Sequence, residues 1–203
     1  MRNRKEEIMK AAKPIFIEQF HKSSPKTILF CEQHSQEVVN SFLESFYEAL
    51  DNASLLQNRK KKNKIKYIQL SHLYSSLFLK QYLLRIDVRD ERFYGDISEA
   101  ESYWNADCIY HLFEEDIQEV KKRIEWSIPR IKEYEIDTLR YTYVPFYHGL
   151  MKAFLKNMFE VLMENSDLWR KEGAWANDAL ILFGEYMGQA DVLFTFLGEG
   201  RID

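Results

Sequence analysis

Chain breakers are scarce in this sequence, which has seven glycines and four prolines among 203 residues. A β-sandwich or β-barrel needs a turn, usually marked by glycine or proline, about every 8–12 residues. The scarcity therefore disfavours those folds and favours long helices joined by few loops. The length is that of one domain of ordinary size.

Apolar residues recur at three- and four-residue intervals along most of the chain, as they do in amphipathic helices. The segments with the clearest pattern are residues 3–20, residues 108–141, a segment starting near Pro145 and residues 174–197. The segment after Pro145 carries its charges in a single stripe, which predicts a central helix of a bundle. In the last segment, Gly184 and Gly188 would allow close backbone approach between packed helices.

A different period occurs between residues 65 and 90. From Leu84 to Arg89, apolar and charged residues alternate as in a half-buried strand. We therefore expect a mainly α fold: a single-domain multi-helix bundle over residues 1–203, with one short β-hairpin around residues 65–90 as its only β-structure.

Composition narrows the class of protein. The chain is 46% hydrophobic with a net charge of −4, so it is not a disordered chain. No uncharged stretch approaches the roughly 20 residues of a membrane span, and the first residues lack the apolar segment of a signal peptide. Two cysteines do not form a disulfide framework. We expect a soluble protein of the reducing cytoplasm.

The common catalytic motifs are absent from the sequence, including the Walker A loop, the dinucleotide fingerprint and the zinc-protease motif. This absence leaves enzymatic activity undecided and favours a non-catalytic domain that binds a protein partner or a small apolar ligand. A homo-oligomer is one form of that partnership, because the predicted last helix carries more apolar surface than one packed face requires.

Four residues in a short aromatic window are candidates for lining a ligand pocket. They are Tyr141, Tyr143, Tyr147 and His148. Rings supply apolar surface, while hydroxyl and imidazole groups supply the few polar contacts that orient a ligand. The alternative is that the rings only fill the space between long helices.

Both cysteines are followed by histidine and glutamate at the same spacing, Cys-x-x-His-x-x-Glu. The cysteine and histidine of the two segments are Cys31, His34, Cys108 and His111. On a helix this spacing puts the side chains on one face, so two such segments could form a Cys2His2 site for zinc. A metalloprotein is therefore an alternative function. The competing interpretation is that the cysteines are small buried apolar residues.

Charge is segregated along the chain. Residues 59–66 carry six basic residues and no acid, whereas residues 87–119 carry eleven acids and two arginines. Arg59, Lys60, Lys61 and Lys62 could contact phosphates, which makes a nucleic-acid-associated regulator a second alternative. We favour instead a solvated loop whose positive charge balances that of the acidic segment, and we expect no nucleic-acid partner.

Overall fold

The structure is a computed structural model, and its described residues are 4–165 and 174–195. Within these two ranges, six helices and five strands follow one another in the order α1 Arg4–Gln33, α2 Ser35–Asn58, β1 Ile65–His72, α3 Tyr74–Leu79, β2 Leu83–Asp90, β3 Glu101–Asn105, α4 Asp107–Tyr110, α5 Phe113–Glu125, α6 Glu133–Asn165, β4 Trp175–Glu185 and β5 Ala190–Thr195. A short 3-10 turn, Phe93–Gly95, lies between β2 and β3.

The strands form one mixed sheet in the order β3-β2-β1-β4-β5. Strand β1 pairs antiparallel with β2 and parallel with β4, and the two outer pairs are antiparallel. The expected mainly α bundle is therefore wrong, because the protein is a mixed α/β fold with a substantial sheet. The expected pair of strands within residues 65–90 exists, but it is the centre of the sheet and not an isolated hairpin.

The predicted last helix is the largest error. Residues 175–195 form the hairpin of β4 and β5. Its run from Leu180 to Phe183 is continuously apolar because the strand is packed on both sides, and such a run cannot be told from a buried helix by periodicity. Close approach at Gly184 does occur, but within the hairpin: a Cβ there would lie 2.2 Å from the carbonyl oxygen of Gln189.

Two helices are longer than the sequence predicts. Helix α6 begins at Glu133 and continues through Pro145, and α1 continues through Pro14 and Pro25. A proline inside a helix removes one backbone hydrogen bond and kinks the helix without having to end it, so boundaries placed at prolines fail here. None of the helices in the two described ranges combines the length and apolar character of a membrane span.

One face of the sheet packs against α2 and α6 through aromatic side chains. The ring of Phe42 lies 5.3 Å from that of Trp104 on β3 and 5.8 Å from that of Phe159 on α6. Phe159 in turn lies 5.9 Å from Phe194 on β5. These rings form part of one apolar core that joins the sheet to the helices.

The other face of the sheet is polar but also largely buried. The alternation along β2 places Arg85, Asp87 and Arg89 there, and Asp87 accepts hydrogen bonds from both arginines. Their side chains are only 16%, 6% and 11% exposed. The half-buried strand predicted from the sequence is thus a strand buried on both faces.

Candidate functional site

The carboxyl ends of the two parallel strands meet at one edge of the sheet. His72 is the last residue of β1 and Glu185 the last of β4, and the two are register partners. Side chains at the carboxyl ends of parallel strands face the crevice in which open α/β sheets commonly bind their ligands. This edge is therefore where a binding site is expected in such a fold.

A second histidine reaches this edge from the helical layer. His148 on α6 stacks on His72 with 3.7 Å between ring centroids and 9° between ring planes. Phe183 on β4 approaches the edge of His72 at 5.9 Å, and Tyr110 approaches His148 at 6.3 Å. Two imidazoles from distant parts of the chain thus form one flat, aromatic-lined wall.

Both imidazoles are uncharged near neutral pH. Burial, together with the smaller effect of repulsion by the neighbouring His72, lowers the pKa of His148 to about 3. Burial also lowers the pKa of His72, against the opposing attraction of Glu185. Each neutral ring offers one hydrogen-bond donor and one acceptor.

The histidine pair separates two spaces. On one side is a small cavity of about 20 Å³, enough for one water molecule, that also touches Ser76, Tyr82 and Tyr110. On the other side is an open groove of about 310 Å³, here called the histidine groove. Its lining residues are His72, His148, Gly149, Lys152, Phe183, Gly184, Gln189, Ala190 and Asp191. The groove is at the lower end of the size range of small-ligand pockets.

Opposite charges face each other in the histidine groove. Lys152 on α6 donates a hydrogen bond of 2.6 Å to the carboxylate of Asp191 on β5. The two side chains are 43% and 67% exposed. An exposed ion pair contributes only about 0–1 kcal/mol, so a ligand with charges of its own can replace it at little cost.

Glu185 adds a second carboxylate at this edge, beside the hydroxyl of Tyr74. The interaction with Glu185 raises the pKa of Tyr74, because the carboxylate disfavours a phenolate beside it. The edge thus combines two acids and one lysine with two neutral imidazoles.

The aromatic window divides between this site and the core. His148 lies in the histidine groove, whereas Tyr141 packs against Tyr74 and Phe78, with ring centroids 5.8 and 5.5 Å apart. The structure places Tyr143 and Tyr147 in the fully buried core instead.

A buried carboxylate accounts for those two core tyrosines. The hydroxyls of Tyr143 and Tyr147 donate to Asp116 over 2.7 and 2.6 Å. Gln19 donates to the same carboxylate over 2.8 Å, and the hydroxyl of Ser23 donates to it as well. Asp116 is 1% exposed, so four donors from two other helices compensate for the burial of its oxygens.

The structure brings the two Cys-x-x-His segments together. The sulfur of Cys31 lies 3.7 Å from the carbonyl oxygen of Cys108, and the rings of His34 and His111 both pack on Phe30, at 4.3 and 4.6 Å. Neither segment is one continuous helix, since α1 ends at Gln33 and α4 at Tyr110. No group of three or more metal-binding side chains is assembled among the described residues.

The glutamates of the two segments lie apart from the cysteines' contacts. Glu114 accepts hydrogen bonds from Arg140 and from the hydroxyl of Tyr82. Glu37 is exposed in the first turn of α2.

The basic segment is only partly available at the surface. Arg59, Lys60 and Lys61 are exposed where α2 ends. The ammonium of Lys62, by contrast, is fully buried, pairs with Asp96 and donates to the carbonyl oxygen of Val88. One lysine thus stabilises the acidic segment from within the fold and cannot contact a phosphate.

Sequence reasoning identified His148 but missed His72, Lys152 and Asp191. The missing signal is the parallel pairing of β1 with β4, which brings together residues more than a hundred positions apart. Because β4 was predicted as a helix, neither its carboxyl end nor the sheet edge at which this site lies could be located from the sequence.

Comparison with models of protein families, with curated proteins and with solved structures finds no match to this chain. The function is therefore inferred from the geometry of the site alone.

Proposed function

We propose that the protein binds a small zwitterion, such as a free amino acid, in the histidine groove. The observation that carries this proposal is the stacked pair of neutral imidazoles, His72 and His148, in the wall of a groove that also holds one lysine and one aspartate. Charged and neutral polar groups converge here on a space of small-ligand size.

Charge complementarity specifies the ligand class. A carboxylate would bind the ammonium of Lys152, and an ammonium would bind Asp191, so that the ligand takes the place of the existing ion pair. The imidazoles supply neutral donors and acceptors, and the ring of Phe183 supplies apolar surface beside them. This lining favours a polar ligand over the apolar one expected from the sequence.

The titration of His148 supports binding rather than catalysis. A general base is most effective when its pKa is near the working pH. With its pKa lowered to about 3 by burial, His148 is a weak base at neutral pH and a permanent hydrogen-bonding group. We therefore keep the non-catalytic assignment as part of this proposal, and we place the protein in the cytosol on the ground of its two unpaired cysteines.

Calorimetric titration of the protein with each of the standard amino acids tests the proposal. We expect at least one of them to bind with one-to-one stoichiometry. Lys152→Ala should weaken that binding by about tenfold or more, the effect of losing a charged hydrogen bond of roughly 1.5–3 kcal/mol. Lys156→Ala is the matched control, because Lys156 is exposed one turn further along α6 and does not line the groove. Absence of binding across the panel, or equal loss in both variants, would contradict the proposal.

A second candidate function is self-association. Helix α3 presents Tyr74, Phe78 and Leu79 with 50%, 62% and 66% exposure, an apolar patch next to the site. A second copy of the chain could cover it. Sedimentation over a hundredfold range of concentration should then show a dimer that Phe78→Ser abolishes, whereas a monomer at all concentrations would exclude this candidate.

A further inference from the structure

A second groove lies in the helical layer, between α1 and α6. It has a volume of about 300 Å³, shares no lining residue with the histidine groove and is here called the helix groove. Its apolar wall includes Ile28, Ile109, Leu150 and Phe154. Ile109 is 2% exposed whereas Ile28 is 49% exposed, so the apolar wall extends from the core to the surface. An open space of this size with an apolar wall fits a small ligand that has a hydrocarbon part.

Helices α1 and α6 run in the same direction. Arg4 donates a hydrogen bond to Glu135 near the start of both helices, and Phe20 packs on Phe146 further along, with ring centroids 5.0 Å apart. Later residues of α1 therefore lie beside later residues of α6. This common direction gives the helix groove an earlier end and a later end, each lined by residues of both helices.

The later end of the helix groove is rich in oxygen atoms. Its lining residues are Glu32 on α1, Ser35 at the start of α2 and Asn157 on α6, and all three are exposed. Glu32 is the only charged residue among those that line the groove, all of which belong to the described ranges. A primary ammonium group has three N–H donors and a charge opposite to that of Glu32. This end of the groove therefore attracts an ammonium group and repels an anion.

The earlier end holds a buried hydroxyl that lacks a hydrogen bond. Thr27 lines the groove and is 1% exposed, and its Oγ1 has no hydrogen-bond partner among the described residues. Threonine in a helix adopts two rotamers, so rotation about χ1 can turn this hydroxyl towards the groove. A buried hydroxyl without a partner is costly, so a ligand hydroxyl that reaches Thr27 would satisfy it.

We propose that the helix groove binds a short amino alcohol, with its ammonium at Glu32, its hydroxyl at Thr27 and its hydrocarbon chain along the apolar wall. The two residues are separated by about 7.5 Å along the axis of α1, which a chain of about five or six carbons spans. A diamine fits less well, because its second ammonium would be buried beside Thr27 without a carboxylate. The helix groove and the histidine groove have no lining residue in common, so this proposal and the proposed function can fail independently.

The test is a calorimetric titration of the full chain with 6-amino-1-hexanol, for which we expect one equivalent to bind to the wild type. Glu32→Gln keeps the size of the side chain and removes its charge, so it should weaken binding about threefold to fivefold, as expected for an exposed ion pair. Glu48→Gln is the matched control and should leave the affinity unchanged, because Glu48 is exposed on α2 and does not line the groove. Absence of binding, or equal effects of the two substitutions, would overturn the proposal.

Thr27→Val tests the other end of the helix groove. Valine has nearly the shape of threonine but no hydroxyl, so 6-amino-1-hexanol should bind this variant about fivefold more weakly than the wild type. Hexylamine, which has no hydroxyl, should bind the variant at least as tightly as the wild type. An equal loss for the two ligands would overturn the placement of the ligand hydroxyl at Thr27.

A comparison of ligands on the wild-type chain needs no variant of the groove. We expect 6-amino-1-hexanol to bind more tightly than hexylamine, which lacks the hydroxyl, and more tightly than 6-hydroxyhexanoate, whose carboxylate Glu32 repels. Equal or reversed affinities in either comparison would overturn the proposal even if the variants failed to fold. No binding of any of the three ligands, together with a dimer in sedimentation that Ile28→Ser abolishes, would assign the groove to a second copy of the chain instead.

Discussion

The rings of His72 and His148 lie face to face, 3.7 Å apart and within 9° of parallel, although one belongs to the sheet and the other to the longest helix. The stack is compatible with two neutral imidazoles, because two imidazolium ions at this distance would repel each other strongly. The geometry of the histidine groove is therefore linked to the uncharged state of His72 and His148.

Stability should fall in mild acid because of this pair. The pKa of His148 is lowered to about 3, whereas an unfolded histidine titrates near 6.5, so the unfolded chain binds the extra proton between these values. The contribution is complete above about pH 6.5 and is lost as the pH falls. We expect the wild type to lose about 1 kcal/mol more than His148→Gln between pH 7 and 5.5 in urea unfolding. Parallel pH profiles for the two proteins would contradict the buried, neutral state of His148.

Asp116 should be essential to the core through its four donors. Asp116→Ala leaves the hydroxyls of Tyr143 and Tyr147 buried without an acceptor, and we expect a loss of about 3 kcal/mol or more in the free energy of unfolding. Glu115→Ala changes an exposed neighbour on the same helix and should cost less than about 0.5 kcal/mol. Chemical denaturation of both variants measures the difference. Similar values for the two would show that the network does not stabilise the core.

Neighbouring lysines of the basic segment should differ sharply in their effect on stability. Lys62→Met removes the buried ammonium that pairs with Asp96 and leaves this carboxylate only the longer ion pair with Arg92, at 3.4 Å. Breaking a buried pair from one side costs about 3–5 kcal/mol. Lys61→Met alters an exposed side chain and should be within about 0.5 kcal/mol of the wild type. Thermal unfolding of the two variants distinguishes them. A wild-type melting temperature for Lys62→Met would refute the buried pair.

Two glycines should respond in opposite directions to the same substitution. In Gly184→Ala the new Cβ would lie 2.2 Å from a backbone oxygen of Gln189, so the hairpin must open and stability must fall by more than about 2 kcal/mol. In Gly149→Ala the Cβ meets nothing within 4 Å, and the helix should gain about 0.5–1 kcal/mol. Chemical unfolding of both variants measures the sign of each change in the free energy of unfolding. A destabilised Gly149→Ala together with a neutral Gly184→Ala would contradict the assignment of residues 175–195 to strands.

The helical half of the fold could be predicted from the sequence because its information is local. In α2, Phe42, Phe46 and Leu50 follow the helical period and are all buried. The apolar residues of α5, from Ile117 to Ile124, do the same. When one face of a helix is exposed to solvent, the 3.6-residue period of its apolar residues is enough to identify it.

The sheet could be predicted only in part because its pairing is not local. The alternation in β2 is visible in the sequence, but β1 acquires its second neighbour from β4, more than a hundred residues later. Because β4 is packed on both faces, its sequence does not show the alternation of apolar and polar residues that would identify it as a strand. The site could likewise be predicted only in part. The aromatic residues beside His148 in the sequence made it a candidate, but His72 could not be recognised without knowledge of the parallel pairing of β1 and β4.

The most direct test of the proposed function is the NMR signal of each histidine ring during titration with the amino acid that binds in calorimetry. The protein has five histidines, and His21 on α1 is exposed and does not line the groove. We expect the ring signals of His72 and His148 to shift together and to saturate at one equivalent, while that of His21 stays unchanged. Saturable binding that leaves both groove histidines unmoved would place the ligand elsewhere and contradict the proposed site.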